Sequence, residues 1–320
     1  MDKSGFNGIA SEFLEWTDGQ SKVLLDTTQV RTQVLVECSS NKATCASKKI
    51  DQDDSQDTKV HVSRPTTVVN GTDIYMLAGT YMREGAVAVQ APARTQWGLL
   101  LSRGCVSGEE SNKRIYWNYI DAFWSTSIIE GRESFTELTG GGGSGVNMKD
   151  GTLVFPVEGT KAGGKTVSLI LYWKDTKSWT LSNGMSDDGC SDPSVVEWGK
   201  DKKLIMMTTC GDGRRRVYES GDKGESWTEA LGTLSRVWGK KEKGHDKGVG
   251  SGFITATIEH RDVMLVTLPV YANENKNKKG KLHLWLTDNT HIVDIGPISG
   301  DEDVAASSCC TKVVRVEIMR

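Results

Sequence analysis

Residues Gly159–Thr166 match the pattern G-x-x-x-x-G-K-[ST], in which a glycine-rich loop and a lysine hold nucleotide phosphates. That chemistry requires a helix to begin at the lysine, so that its N-terminus points at the phosphates. The flanking segments GTLVFPVE and TVSLILYW are instead apolar and rich in β-branched residues, which is typical of strands. The sequence therefore predicts a β-hairpin here and no nucleotide site.

Cysteine and histidine could also carry chemistry, but their spacing indicates neither a metal site nor a nucleophile. The seven cysteines include no C-x-x-C pair, and we predict no metal and no cofactor. Cys38 and Cys45 are close enough in sequence to form a disulfide, although small buried thiols are an equally good interpretation. His245, His260 and His291 are scattered, with no nearby serine or cysteine nucleophile pattern.

Composition excludes several classes of protein. The 39 basic and 42 acidic residues give a net charge of −3, which provides no long-range attraction to nucleic acid or anionic lipid. The mean hydropathy is −0.40, and no apolar run reaches the roughly 18 residues of a membrane-spanning helix. The 35 glycines and 10 tryptophans favour a turn-rich, all-β fold.

The chain divides near residue 60. Residues 1–60 form a divergent N-terminal segment, whose polar part 39–60 predicts a long exposed loop. Residues 61–320 consist of short β-type runs, roughly 10–15 residues apart, without a helical period. This spacing is typical of a sandwich, a barrel or a propeller.

Asn70-Gly71 is a strong β-hairpin dipeptide. With Thr72 it also forms an N-glycosylation sequon, which has meaning only in a protein that enters the secretory pathway.

A second motif favours the propeller. Ser220, Asp222, Gly224 and Trp227 fit S-x-D-x-G-x-[ST]-W, the Asp box of sialidase-type propellers. Asp222 can accept hydrogen bonds from the turn backbone, Gly224 can adopt a positive φ, and Trp227 begins the next strand, so the motif is structural. Trp173–Trp179 is a degenerate copy about fifty residues upstream, as expected if each repeat is one blade.

With the Asp box placed, the chain resembles the trypanosomal sialidase/trans-sialidase superfamily of surface proteins. The resemblance covers residues 61–308, weakens toward Gly5, and rests on SRPTTVVNGTDIYMLAGTY, GTLVFPVEGT, GCSDPSVVEW, RRRVYESGDKGESWTEALGTLSRVWG and LHLWLTDNTHIVDIGPIS. It implies an all-β, six-bladed sialidase-type β-propeller, usually followed by a lectin-like domain. Because about 260 residues suffice for only four or five blades, we expect an incomplete propeller without the C-terminal lectin-like domain.

The resemblance also implies a chemistry. Active members release α-linked sialic acid or transfer it to β-galactose. Three arginines hold the sialic acid carboxylate, a tyrosine paired with a glutamate forms the covalent intermediate, and an aspartate is the acid/base.

Aligned one residue at a time, this chain lacks most of that set. Arg64 stands where the resemblance implies a sugar-contacting aspartate, and Thr209 and Lys279 stand for the second and third arginines. Asp192 replaces the glutamate, and Ala306 replaces the tyrosine. By the resemblance, the first arginine and the acid/base aspartate are expected upstream of Met1.

These replacements predict no sialidase or transferase activity and no catalytic residues. Ala306 has no oxygen with which to form a glycosyl-enzyme bond, and the lost arginines remove a bidentate hold on a carboxylate. The ligand-binding candidates are Asp192, Lys279 and Arg64, although Asp192 before Pro193 is also explained as a turn residue.

The resemblance thus implies a non-catalytic surface protein that binds host glycans or glycoproteins, in adhesion or as an antigen. Two alternatives stay open: an exo-α-sialidase/trans-sialidase, and a truncated gene product without an independent function. A location at the cell surface or outside the cell is implied by the resemblance alone, because no signal peptide or anchor signal is visible.

Overall fold

The computed structural model shows an all-β arrangement after residue 60. It describes residues 61–83, 95–107, 114–124, 135–173, 179–199, 201–239, 250–271 and 280–300. The N-terminal segment 1–60 and the candidate residues Lys279 and Ala306 lie outside this part of the chain. Across the described ranges, we find no helix with the length and apolar character needed to cross a membrane.

The described strands form four antiparallel sheets in chain order, which we call blades I to IV. Blade I contains β1 (His61–Asn70), β2 (Asp73–Arg83), β3 (Thr95–Ser107) and β4 (Arg114–Trp124). Blade II contains β5 (Phe135–Gly140), β6 (Val146–Asn147), β7 (Leu153–Lys161), β8 (Thr166–Trp173) and β9 (Trp179–Leu181). Blade III contains β10 (Cys190–Trp198), β11 (Lys203–Cys210), β12 (Arg215–Ser220) and β13 (Thr228–Glu229). Blade IV contains β14 (Gly252–Ile258), β15 (Arg261–Tyr271), β16 (Gly280–Thr287) and β17 (Ile292–Pro297).

Successive blades pack face to face through three apolar clusters. Leu77 and Leu99 of blade I meet Phe155 and Leu169 of blade II. Blade II meets blade III through a cluster that includes Ile170 and Met206, and blade III meets blade IV through one that includes Met207 and Phe253. Because each strand pair buries side chains on both faces of the sheet, the runs LVFPVEGT and TVSLILYW are almost continuously apolar. The all-β, propeller-like fold is therefore confirmed, with four blades in the described residues.

The segment that matches the phosphate-binding pattern is a hairpin, as its flanking strands predicted. β7 and β8 pair up to Thr160 and Thr166, and the amide of Lys161 donates to the carbonyl of Lys165 at 2.9 Å. The lysine of the motif, Lys165, is therefore part of the turn between two strands. No helix begins there, so no helix N-terminus is available to bind phosphates.

The Asp box forms a hydrogen-bonded turn between β12 and β13. The Asp222 carboxylate accepts bonds from the hydroxyl of Ser220 at 2.7 Å and from the amide of Ser226 at 3.0 Å. Gly224 has φ of +85° and donates its amide to Ser220 Oγ at 2.7 Å. Trp227 packs against the apolar cluster between blades II and III. In the degenerate copy the indole rings of Trp173 and Trp179 stack, with centroids 5.2 Å apart, and residues 174–178 lie outside the described ranges.

We expect Asp222→Ala to lower the free energy of unfolding by about 1–2 kcal/mol at neutral pH, because several turn hydrogen bonds to a charged acceptor are lost. Bonds from Ser226 and Ser220 lower the pKa of Asp222 to about 2 from 3.8. A lowered folded-state pKa means that this contribution is present above pH 4 and is lost as the pH falls through about 2. Urea unfolding at pH 7, 4 and 2 should therefore show a shrinking difference between the wild type and the variant.

Asp201→Ala is the matched control, because this exposed aspartate in the β10–β11 turn forms no hydrogen bond among the described residues. A difference for Asp222→Ala that stays constant over this pH range would contradict the role given to its carboxylate.

Candidate functional site

The first strand of each of blades I to III is interrupted at the same level. β1 has a bulge between Ser63 and Thr66, β10 has one between Ser191 and Ser194, and the run GGGSG separates β5 from β6. Each bulge contains a proline, which a strand tolerates there because the ladder hydrogen bond is already broken. The bulges change the direction of the residues that precede those prolines.

Those two residues are Arg64 and Asp192. Both have a left-handed backbone, with φ of +54° and +53°, a conformation that is uncommon for residues other than glycine and that concentrates at functional sites. The side chains meet: Arg64 Nη2 donates to Asp192 Oδ1 at 2.8 Å. The structure thus brings together two sequence candidates that lie 128 residues apart.

A third charged group completes what we call the ion-pair cluster, Arg64, Glu158 and Asp192. Arg64 Nη2 also forms a short ion pair with Glu158 Oε1 and donates to the carbonyl of Gly141 at 3.1 Å. Glu158 Oε1 in turn accepts the amide of Asp192 at 3.0 Å. One guanidinium therefore connects blades I, II and III, and it is set between two carboxylates.

The ion-pair cluster is largely withdrawn from water on its acidic side. The side chains of Glu158 and Asp192 are 7% and 16% exposed, whereas that of Arg64 is 33% exposed. Asp192 Oδ2 accepts a further hydrogen bond from Ser191 Oγ at 2.9 Å. Both carboxylates are consequently fixed by partners of the protein itself.

Thr209 lies beside the ion-pair cluster on β11, opposite Ser191 in the register. It is 8% exposed, and its hydroxyl has no hydrogen-bond partner among the described residues. The neighbouring Thr208 donates to the carbonyl of Ser191 at 2.6 Å and contacts Ser168 Oγ. This buried chain of hydroxyls holds the backbone that carries Asp192.

A disulfide closes the same end of blade III. Cys190 and Cys210 are a register pair on β10 and β11, and their sulfur atoms are bonded. Cys190 lies two residues before Asp192, and Cys210 directly follows Thr209. The spacing of the two cysteines in the sequence does not predict this pair, because only the register of β10 and β11 brings them together.

The sequence also contains a basic run, Arg214–Arg216, that could attract an acidic ligand, but two of its three arginines are buried or paired with carboxylates. Arg215 is buried, and Arg216 forms ion pairs with Asp187 and Asp212. Asp188, between β9 and β10, accepts hydrogen bonds from Lys161 and Lys165 of the β7–β8 hairpin, and these bonds hold the pKa of its carboxyl below the usual range.

No tyrosine contacts Asp192 in the described ranges, where its side-chain partners are Arg64 and Ser191. Tyr218 is buried, its hydroxyl accepts the amide of Asp187 at 3.3 Å, and burial raises its pKa. Arg64 is the one guanidinium that contacts Asp192 within these ranges. The described residues also contain no group of three His, Cys, Asp or Glu side chains placed to ligate a metal.

The Asp box, the four antiparallel blades and a charged cluster at the interrupted first strands define a sialidase-type propeller. Comparison with known proteins agrees: residues 11–315 match the BNR repeat-like domain family. The chain belongs to this family and to the sialidase/trans-sialidase superfamily.

Individual relatives give the extent of the similarity. A sialidase of Trypanosoma cruzi is 36% identical over 257 residues, which cover 78% of this chain and 22% of that protein. A Trypanosoma rangeli sialidase mutant displaying trans-sialidase activity superposes with a TM-score of 0.66 at 32% identity, covering 79% of this chain and 41% of that one. T. rangeli sialidase in complex with sialic acid superposes with a TM-score of 0.62 at 30% identity, covering 75% and 39%. The chain thus spans between about a fifth and two fifths of the length of these relatives.

Proposed function

We propose that this chain is a non-catalytic, sialidase-like protein that binds glycans or glycoproteins at the end of the propeller that carries the ion-pair cluster. The observation that carries the proposal is the set of partners of Asp192. Its carboxylate, which stands where the resemblance implies the glutamate that activates a tyrosine, accepts hydrogen bonds from Arg64 and Ser191 instead. A carboxylate so engaged is a poor group to draw a proton from a nucleophile.

A binding role uses the same groups differently. The partly exposed Arg64 supplies hydrogen-bond donors beside carboxylate acceptors, a combination that suits the hydroxyl groups of a sugar. The T. rangeli sialidase complex with sialic acid supports a carbohydrate as the ligand class. Lys279, the third ligand-binding candidate, stays a prediction because it lies outside the described residues.

A location at the cell surface or outside the cell belongs to the same proposal. The disulfide between Cys190 and Cys210 supports it, because such bonds form and persist in oxidising compartments and are rare in the cytosol. A surface location would give the protein access to host glycans and so fits a role in adhesion or as an antigen.

We expect no release of fluorophore from a sialyl-methylumbelliferone substrate above the level of an Asp192→Asn variant. On an array of paired sialylated and desialylated glycans, we expect wild-type signal above background and loss of signal for Asp192→Asn. Arg103→Ala, which alters an exposed ion pair with Asp73, should keep the signal.

The two assays separate the candidate functions. Fluorophore release that Asp192→Asn abolishes would favour the exo-α-sialidase alternative, which the retained carboxylate and the T. cruzi relative support. Silence on the array, with a folded protein by circular dichroism, would contradict the binding proposal.

A further inference from the structure

One motif of the sequence has no part in the proposed site: the tripeptide Asn70-Gly71-Thr72. It is the single N-x-[ST] sequence among the 320 residues. The structure places it at the tip of the β1–β2 hairpin, where Asn70 is the register partner of Asp73 and Gly71 has φ of +62°. The two central residues of this turn are Gly71 and Thr72, and Asn70 is the last strand residue before them.

The tip of this hairpin is exposed to solvent. Asn70, Gly71 and Thr72 are all exposed, and no described atom beyond Gly71 and its two chain neighbours lies within 4 Å of the position that a Cβ on Gly71 would take. Two other asparagines use their side-chain amide nitrogens: Asn147 donates to the carbonyl of Val69, and Asn183 donates to Glu225. For the Asn70 side chain, by contrast, no hydrogen bond occurs within the described ranges.

The hairpin tip also lies away from the ion-pair cluster. Arg64 and Asn70 are six positions apart on β1, which corresponds to about 20 Å of extended strand. Asn147, at the β6–β7 turn of blade II, contacts the strand end at Val69 with an N–O distance of 3.3 Å. That turn is in turn tied to the Asp box by Lys223 and Asp150 at 2.6 Å. Asn70 thus lies at the end of the propeller that carries the β1–β2, β6–β7 and Asp-box turns, opposite the ion-pair cluster.

We propose that Asn70 carries an N-linked oligosaccharide, and that this glycan projects from the end of the propeller opposite the candidate binding site. The amide nitrogen of Asn70 forms a bond to the anomeric carbon of a lipid-pyrophosphate-linked oligosaccharide; the lipid pyrophosphate leaves with the bonding electrons, and the amide loses one proton. Thr72 completes the acceptor sequence. The inference requires the secretory route proposed above but does not depend on glycan binding by the ion-pair cluster.

The full chain, expressed in a eukaryotic cell line behind a cleavable signal sequence, tests this. Protein recovered from the medium and from the secretory lumen is treated with peptide-N-glycosidase, and its gel mobility is compared with that of untreated protein. The peptide that contains Asn70 is also analysed by mass spectrometry. We expect one enzyme-dependent shift, and conversion of Asn70 to aspartate at the cleaved site.

Two variants at one residue give a matched control. Thr72→Ser keeps the acceptor sequence and should keep the shift, whereas Thr72→Ala should abolish it, as should Asn70→Gln. Lumenal or secreted wild-type chain without a glycan would overturn the inference, and so would a shift that persists in Asn70→Gln. Glycan-array binding by an enzymatically deglycosylated protein is scored separately, so failure of the proposed function is distinguishable from failure of this inference.

Discussion

Replacement of Arg64 by alanine is expected to lower the free energy of unfolding by roughly 3 kcal/mol, because it leaves two largely buried carboxylates without their common partner. Glu158 and Asp192 would then repel each other across the junction of blades II and III. Arg64 also ties blade I to the carbonyl of Gly141, and this contact would be lost as well. Since the guanidinium is one third exposed, the expected loss lies at the lower end of the range for buried pairs. Urea unfolding followed by tryptophan fluorescence measures it.

Two comparisons make this expectation specific. Arg103→Ala removes an ion pair with Asp73 whose side chains are 50% and 28% exposed, and should cost only about 0.5 kcal/mol. Adding Glu158→Gln to Arg64→Ala should recover part of the stability, because one of the two stranded charges is removed. Equal effects of the two arginine variants would show that the ion-pair cluster does not hold the blades together.

The fold was predictable because its signals are local. The Asn70-Gly71 dipeptide predicts a hairpin within four residues, and the Asp box closes a turn through contacts no more than four residues apart. Strands β7 and β8 could be predicted because apolar runs rich in β-branched residues and bounded by glycines are typical of strands. Strand register depends instead on contacts between distant segments, which such patterns do not encode.

The candidate site was predictable only in part, because its contacts connect distant residues. Arg64 is bonded to residues 94 and 128 positions away, so the sequence offered Arg64 and Asp192 as separate candidates and gave no sign of their ion pair. A signal existed: SRPTT and SDPSV place a charged residue before proline at the same point of two first strands. Glu158 was missed, although a carboxylate inside the run LVFPVEGT is the kind of buried charge that requires a partner.

Reduction of the disulfide between Cys190 and Cys210 is expected to lower the free energy of unfolding by about 3 kcal/mol, because the bond closes a loop across 20 positions of the unfolded chain. The loss should reach the candidate site as well. Cys190 and Cys210 border the strand segments that carry Asp192 and Thr209, so opening the bond loosens the bulge on which the contact with Arg64 depends. We therefore expect both a lower urea midpoint and weaker glycan-array signal after treatment with dithiothreitol.

A Cys190→Ser/Cys210→Ser double variant separates this bond from other thiol chemistry. It should start at the stability of the reduced wild type and lose little more on addition of dithiothreitol. Cys105→Ser is the matched control: Cys105, half-buried on β3, is not part of this disulfide, and its replacement should preserve the full response to the reductant. If the double variant instead kept wild-type stability, the strand register alone would be sufficient to hold the Asp192 bulge, and the ion-pair cluster, which joins three blades at that level, would be the dominant constraint on the site.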